Sequence, residues 1–177
     1  MDNMMNRMVR AAKLDVNLYE EVEADKQAMR QAMGVVLLAS LAAGIGNFPR
    51  GGMLGLLGGT LAALLSWYIW AYLTYYIGTK FLPEPQTRST PGELLRTLGF
   101  ASSPGLLRFL GVIPGLTGVV FVAAAVWMLI AMVIAVRQAL DYTSTGRAVG
   151  VCAIGWIVQA IILIPVLLLF GEVPEPT

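Results

Sequence analysis

Four long runs without a charged residue divide the chain, and they predict its membrane-spanning helices. The runs are 31–49, 51–79, 109–136 and 148–171. A helix needs about 20 apolar residues to cross a hydrocarbon core of roughly 30 Å. The last three runs exceed that length and are too evenly apolar for the surface helices of a soluble domain. We therefore predict an all-α integral membrane protein with four transmembrane helices, near 31–48, 53–79, 113–137 and 147–170.

The first run is the shortest, and it allows two interpretations. It closes with Gly44-Ile-Gly-Asn-Phe-Pro49, a cluster that should end a helix. The segment either spans the bilayer by borrowing turns on its amino side, or it re-enters and turns back at Gly46. We adopt the spanning interpretation.

The distribution of basic residues predicts the orientation. Four spans leave both termini on the same side. That side then carries nine basic residues: Arg7, Arg10, Lys13, Lys26, Arg30, Lys80, Arg88, Arg96 and Arg108. The other side carries three: Arg50, Arg137 and Arg147. Cytoplasmic loops are the ones enriched in Lys and Arg, so we expect a cell-membrane protein with both termini in the cytoplasm.

Residues 1–30 form a separate amino-terminal segment, before a membrane domain at 31–171. On a helical wheel, the methionines and alanines of 1–13 lie opposite the polar and basic residues, which predicts an amphipathic helix in the headgroup plane. A second apolar stripe, from Leu18 to Met33, is expected to run straight into the first span. Asp25 falls inside this stripe. It should either pair with Arg96 or Arg108, or lie in solvent if the helix rotates.

The central loop, 80–108, contains the clearest local signals. Thr90-Pro-Gly-Glu93 is a capping box with proline at the first helical position, and Gly99 is a suitable stop. This predicts a short amphipathic helix over 91–98, and Ser103-Pro104 predicts a second start. We expect both helices to lie on the surface of the membrane or half-inserted.

The composition of the chain excludes most kinds of catalytic and metal-binding site. Twelve basic residues against eleven acidic ones give a net charge of +1, so a nucleic-acid partner is not expected. The chain has no histidine and one cysteine, which excludes His-based catalysis, an internal disulfide and a Cys or His metal cluster. We predict no catalytic, metal or cofactor site, and hence no enzyme. Because the predicted spans carry no Asp, Glu, Lys or Arg between their end residues, active transport is also not expected.

Two features of the second span are candidates for interaction. Gly51, Gly55, Gly59 and Ala63 recur every four residues and form a small-residue face that another helix could approach closely. This face packs either within the chain or against another integral membrane protein. Trp67 lies too deep for an interfacial aromatic belt. We therefore expect it to pack between helices, and we consider a lipid or pigment contact at Trp67 and Trp70 as the alternative.

Several stretches of the chain have a familiar pattern: 18–25, 42–46, 99–105, Trp127, 135–140 and 147–149. In these stretches the sequence resembles the prokaryotic branch of the Yip domain family, multi-pass membrane proteins related to the Ypt/Rab-interacting proteins. The Asp-Leu-Tyr-Gly-Pro type motif and the long polar amino-terminal region of the eukaryotic members are absent, so their Rab-binding activity is not expected. The resemblance implies a membrane protein without catalytic residues.

These observations favour a protein that works by association. We expect a membrane-organising or accessory subunit that lies in the lipid bilayer and docks on a larger membrane complex. The alternative is a passive channel or carrier for a small neutral or lipidic solute.

Overall fold

The computed structural model describes the backbone of residues 3–170 and the side chains of 3–49 and 51–161. The described residues form seven α-helices, one π-helical turn and one 3₁₀ segment, and no strand. In chain order the α-helices are α1 (Met4–Ala12), α2 (Val16–Ala24), α3 (Ala28–Gly46), α4 (Phe48–Tyr76), α5 (Pro91–Ala101), α6 (Thr117–Ala139) and α7 (Thr145–Phe170). The π-helical turn Ile77–Phe81 extends α4, and the 3₁₀ segment Ser103–Val112 follows α5.

Three of these helices are long and apolar enough to cross a membrane, which confirms the all-α multi-pass prediction at that level. They are Ala28–Gly46, Gly51–Phe81 and Thr117–Ala139. The first runs as one helix to Gly46, and α4 begins at Phe48. α7 is a further apolar helix of 26 residues, whose described side chains are those of Thr145–Ile161.

The amino-terminal segment packs onto the membrane domain as a helical hairpin. Asp15 caps α2 by accepting a hydrogen bond from the backbone N–H of Asn17. Met8, Ala11, Leu18, Tyr19 and Val22 of this hairpin are buried in the common core. The expectation that the stripe from Leu18 runs straight into the first span is wrong. At Asp25 the backbone becomes extended, and the Asp25 carboxylate accepts from the N–H of Gln27 ahead of α3.

The segment predicted as a surface loop instead lies along α3. The capping box at Thr90 and Glu93 is confirmed, but α5 continues through Gly99 to Ala101. Gly99 does not stop the helix because it packs on α3, where a Cβ atom placed on it would lie 2.7 Å from the Cβ of Ala32. The second start, at Ser103 and Pro104, produces a 3₁₀ segment and not an α-helix.

Three glycines in this segment contact small residues of α3 in register. Gly99, Gly105 and Gly111 lie against Ala32, Ala39 and Gly46. Successive glycines of the segment are six residues apart, and the residues that they contact on α3 are seven apart. Seven residues of an α-helix span about 10.5 Å at 1.5 Å per residue. Six residues cover that distance with a mean rise between those of α and 3₁₀ helices. The segment 91–112 therefore runs parallel to α3 along most of its length.

The directions of α4 and α6 correct the predicted sidedness. Tyr142, just after α6, donates hydrogen bonds to the carbonyl oxygens of Gly78 and Leu82 at the end of α4. Arg147 donates to the carbonyl of Pro83 and lies 3.4 Å from Glu84. Arg137 and Arg147 thus lie at the Lys80 end of the molecule, and were wrongly placed at the other end. We call this end, with the loops 82–90 and 140–144, the loop end.

Arg108 was also misplaced. Its backbone carbonyl lies against Gly46, at the far end of α3 from the loop end. Meanwhile α7 runs away from the loop end, since Gly150 approaches Leu82 and Gly155 approaches Trp70. The predicted cytoplasmic carboxyl terminus, 171–177, lies outside the described residues.

Candidate functional site

A partly open cavity of about 470 Å³ lies between α3, α4, α6 and α7, with the 3₁₀ segment along one side. It extends from the middle of the molecule toward the end opposite the loop end. Its lining is Val36, Ala39, Ser40, Ala43, Gly44, Gly55, Gly59, Ala63, Ser66, Trp67, Trp70, Leu98, Ser102, Arg108, Met128, Met132, Trp156 and Gln159. Most of these side chains are apolar or small, as in pockets that bind organic ligands.

The predicted small-residue face forms one wall of this cavity. Gly55, Gly59 and Ala63 line it, whereas Gly51 lies before it on α4. A Cβ atom added at Gly55 or Gly59 would meet nothing within 4 Å. The face is therefore not packed against another described helix, and its small side chains widen the space beside α4.

Trp67 and Trp70 close the inner part of the cavity. The indole N–H of Trp67 donates to the carbonyl oxygen of Leu95 at 3.1 Å, which fixes the ring between α4 and α5. The ring of Trp70 lies against Gly155 of α7. Its indole N–H is buried and has no hydrogen-bond partner in the described part of the chain. A buried donor of this kind normally finds a partner.

Arg108 supplies the only charged side chain among the described residues of the cavity wall. Its guanidinium carbon lies 5.5 Å from the ring centre of Phe121, in a cation–π contact. Its Nε is buried without a hydrogen-bond partner, and it forms no ion pair with any of the described carboxylates. An anionic group beside Arg108 would compensate this cation and accept from its open donor.

Gln159 of α7 also lines the cavity, and it makes no hydrogen bond to the described residues. The sequence identified Arg108 as a candidate partner of Asp25, but it gave no sign that Arg108 and Gln159 share one cavity. That juxtaposition depends on the 3₁₀ segment packing against α3 and α6, which the charge pattern did not indicate.

The predicted pairing of Asp25 with Arg96 or Arg108 is not found. Asp25 pairs with Arg7 at 3.0 Å. Arg7 is buried and also binds Glu21 at 2.7 Å and the Gln31 side chain at 3.0 Å. The Arg7 cluster therefore ties α1, α2 and the start of α3 together, where the sequence suggested a contact with the central segment.

Arg96 binds the backbone and not a carboxylate. It donates to the carbonyl oxygens of Val22 and Glu23 at the end of α2. Unsatisfied carbonyl groups at a helix carboxyl end are favourable sites for a cation. Arg96 thus holds α2 against α5.

Two carboxylates near the loop end have shifted pKa values, in opposite directions. Burial raises the pKa of Glu23 to about 8, with the carboxylates of Glu20, Asp141 and Glu93 adding to the effect. Hydrogen bonds from the backbone and hydroxyl of Thr143 lower the pKa of Glu84 to about 2. Glu84 thus joins the loop 82–90 to the start of α7 as an ionised acceptor.

A different face of α4 is exposed outside the cavity. Gly58 and Ala62, four residues apart, are exposed and do not line the cavity. A Cβ atom on Gly58 would meet nothing within 4 Å. Leu54, Leu61 and Leu65 beside them are 64–87% exposed. In a bilayer, a small pair flanked by leucines is a surface on which a second helix can pack closely.

Comparison with protein-family models, with curated proteins and with solved structures finds no match to this chain.

Proposed function

We propose that this chain is a non-enzymatic multi-pass membrane protein that works by association, as a membrane-organising or accessory subunit of a larger membrane complex. The observation that carries the proposal is the exposed small-residue pair of α4, Gly58 and Ala62. Glycine in a helix interior costs roughly 1 kcal/mol relative to alanine. That cost is offset in membranes by close helix packing, and no described helix packs on Gly58. A transmembrane helix of a partner is the occupant that fits.

The proposal includes five crossings: α3, α4, α5 with the 3₁₀ segment, α6 and α7. It places the loop end and the amino terminus in the cytoplasm. What supports it is the charge distribution along this arrangement, because Arg137 and Arg147 join Lys80 at the loop end, whereas Arg50 and Arg108 lie toward the opposite end. This is a stronger positive-inside bias than four crossings give.

Single-cysteine labelling tests the crossings. In a Cys152→Ala background, cysteines at Ser89, Gly146 and Arg50 are treated with a membrane-impermeant thiol reagent in intact cells. Five crossings predict that only the cysteine at position 50 reacts. Four crossings predict that positions 50 and 146 react together, which would overturn this part of the proposal.

Copurification tests the association. The protein is extracted from native membranes in mild detergent, and copurifying subunits are quantified by mass spectrometry. We expect at least one subunit in fixed stoichiometry, and we expect Gly58→Leu to remove it. Gly118→Leu is the matched control, because a Cβ atom at Gly118 of α6 also meets nothing within 4 Å. Recovery of the protein alone, or equal loss with both variants, would contradict the association through α4.

The cavity supports a second candidate, a passive channel or carrier for a small neutral or lipidic solute. A lone protein that makes liposomes leaky would favour this candidate over the first. Leucine at Gly59, which narrows the cavity, should then abolish the leak, whereas leucine at Gly58 should not.

We also propose membership of the prokaryotic branch of the Yip domain family. Support comes from the positions of the resembling stretches: 18–25 and 99–105 include buried side chains at the contacts between α2, α3 and α5.

A further inference from the structure

We infer that the cavity beside α4 binds one anionic phospholipid, with the phosphate at Arg108 and an acyl chain extending inward to Trp67 and Trp70. This site goes beyond the proposed association with a membrane complex and does not depend on it. Two independent features carry the inference: an uncompensated cation at one position, and an apolar channel leading away from it.

The cation is suited to a phosphate. A guanidinium presents several N–H donors in a planar fork and binds phosphate oxygens in a bidentate manner. The guanidinium carbon of Arg108 lies over the ring of Phe121, and this contact supplies no acceptor oxygen for the N–H donors. Because the Nε of Arg108 is buried without a partner, an anion would satisfy a donor that the protein leaves open.

The apolar part of the cavity is suited to an acyl chain. From Gly55 to Trp70 the cavity follows α4 for about 22 Å at 1.5 Å per residue. Small side chains at Gly55, Gly59 and Ala63 leave this path open on one side. Met128 and Met132 of α6 border it, and methionine adapts to flexible apolar ligands.

The position of Arg108 also suits a lipid headgroup. Arg108 is near Gly46, the last residue of α3, and α4 begins two residues later. This region is the end of two apolar helices that are each long enough to cross a bilayer. A lipid entering there would keep its phosphate near the membrane surface while its chain points toward the membrane centre.

Quenching of tryptophan fluorescence by brominated lipid tests the site. The full-length protein is placed in phosphatidylcholine vesicles with a minor fraction of lipid that carries bromine near the end of one acyl chain. The brominated lipid is phosphatidylglycerol in one series and phosphatidylcholine in the other. Exposed tryptophans meet bulk lipid equally in both series, so a difference reports a lipid held beside Trp67, Trp70 and Trp156.

We expect about 5 mol% brominated phosphatidylglycerol to quench the tryptophan fluorescence as much as about 50 mol% brominated phosphatidylcholine does. This corresponds to a preference for phosphatidylglycerol of about tenfold. Arg108→Gln should remove the preference, and Arg108→Lys should retain part of it because the charge remains. Arg50→Gln is the matched control at the same end of the molecule. This variant should prefer phosphatidylglycerol as strongly as the wild type does.

Two further arms separate a lipid from other occupants. Gly59→Leu narrows the cavity without changing charge, and it should abolish the quenching difference. Inorganic phosphate at about 10 mM should leave the wild-type preference unchanged, since it has no acyl chain to bury. Equal quenching by the two lipids, a preference that survives Arg108→Gln or Gly59→Leu, or full displacement by phosphate would each overturn the inference.

Discussion

The two ends of the molecule are packed in different ways. Toward the loop end, aromatic and branched side chains fill a closed core; the fully buried ones include Tyr19, Phe100, Leu94, Leu140 and Val136. Toward the other end, residues 51–66 of α4 include no buried side chain, and the cavity separates α4 from its neighbours. We call these regions the packed half and the open half.

Apolar side chains have different surroundings in the two halves. In the packed half, hydrophobic side chains contact one another and polar groups such as Arg7 are paired inside the protein. In the open half, equally apolar residues such as Leu54 and Leu61 face outward, where lipid is as apolar as leucine. Stability should therefore depend mainly on the packed half, while ligand and partner contacts should depend on the open half.

The largest effect is expected for phenylalanine truncation in the packed half. Phe100→Ala removes a fully buried ring and should lower the free energy of unfolding by about 3–5 kcal/mol. Phe109→Ala is the matched change in the 3₁₀ segment, where the ring is 50% exposed, and should cost less than about 1 kcal/mol. Thermal unfolding of both variants in the same detergent compares them. Equal losses would remove the distinction between the halves.

The Arg7 cluster should give the next largest effect. Arg7→Gln removes the cation that joins Glu21 and Asp25, and should cost about 2 kcal/mol, since the arginine is buried and its partners are about one-third exposed. The amino-terminal hairpin should also become sensitive to limited proteolysis. Arg30→Gln changes an exposed arginine near the same helix start. If this control behaves like Arg7→Gln, net charge and not the cluster explains the loss.

Local signals in the sequence predicted individual helices well, because each helix end depends on nearby residues. Thr90 and Glu93 formed the capping box, Asp15 capped α2, and the uncharged runs located the long helices. The predicted end of α5 was wrong. Gly99 does not end the helix but contacts Ala32, which is 67 residues away in the chain. Only tertiary structure decides between these roles for a glycine.

The candidate site was less predictable than the fold. The small-residue row and the two tryptophans were identified, but Arg108 was assigned to the opposite end of the molecule. The segment 91–112 contains Arg96 and Arg108, so its charge pattern resembles that of a loop. In the structure Arg96 is satisfied by backbone carbonyls, whereas Arg108 lies over an aromatic ring with its Nε left without a hydrogen-bond partner among the described residues. The pairing of residues across the cavity could not be derived from spacing along the chain.

A smaller effect is expected at the kink of α4, within the open half. Gly52 has φ 55° and ψ −159°, a conformation that is essentially restricted to glycine. Gly52→Ala should therefore cost about 1–2 kcal/mol. Gly55→Ala, three residues later in regular helix with free space for a Cβ, should be neutral or stabilise by up to about 1 kcal/mol. The melting temperatures of the two variants test this prediction. A shift of both in the same direction would contradict it.

The smallest effect, and the one that depends on pH, is expected at Glu23 in the packed half. Burial raises the pKa of Glu23 from 4.5 to about 8, so the folded protein binds this proton more tightly than the unfolded chain. The stabilisation is complete below about pH 4.5 and is lost as the pH rises through about 8. Glu23→Gln resembles the protonated form and should raise stability above pH 8 by roughly 1 kcal/mol, given that the group is partly exposed. Below pH 5 it should change little. Melting temperatures measured from pH 5 to 9 check this. A wild-type slope that persists unchanged in Glu23→Gln would assign the pH dependence to another group.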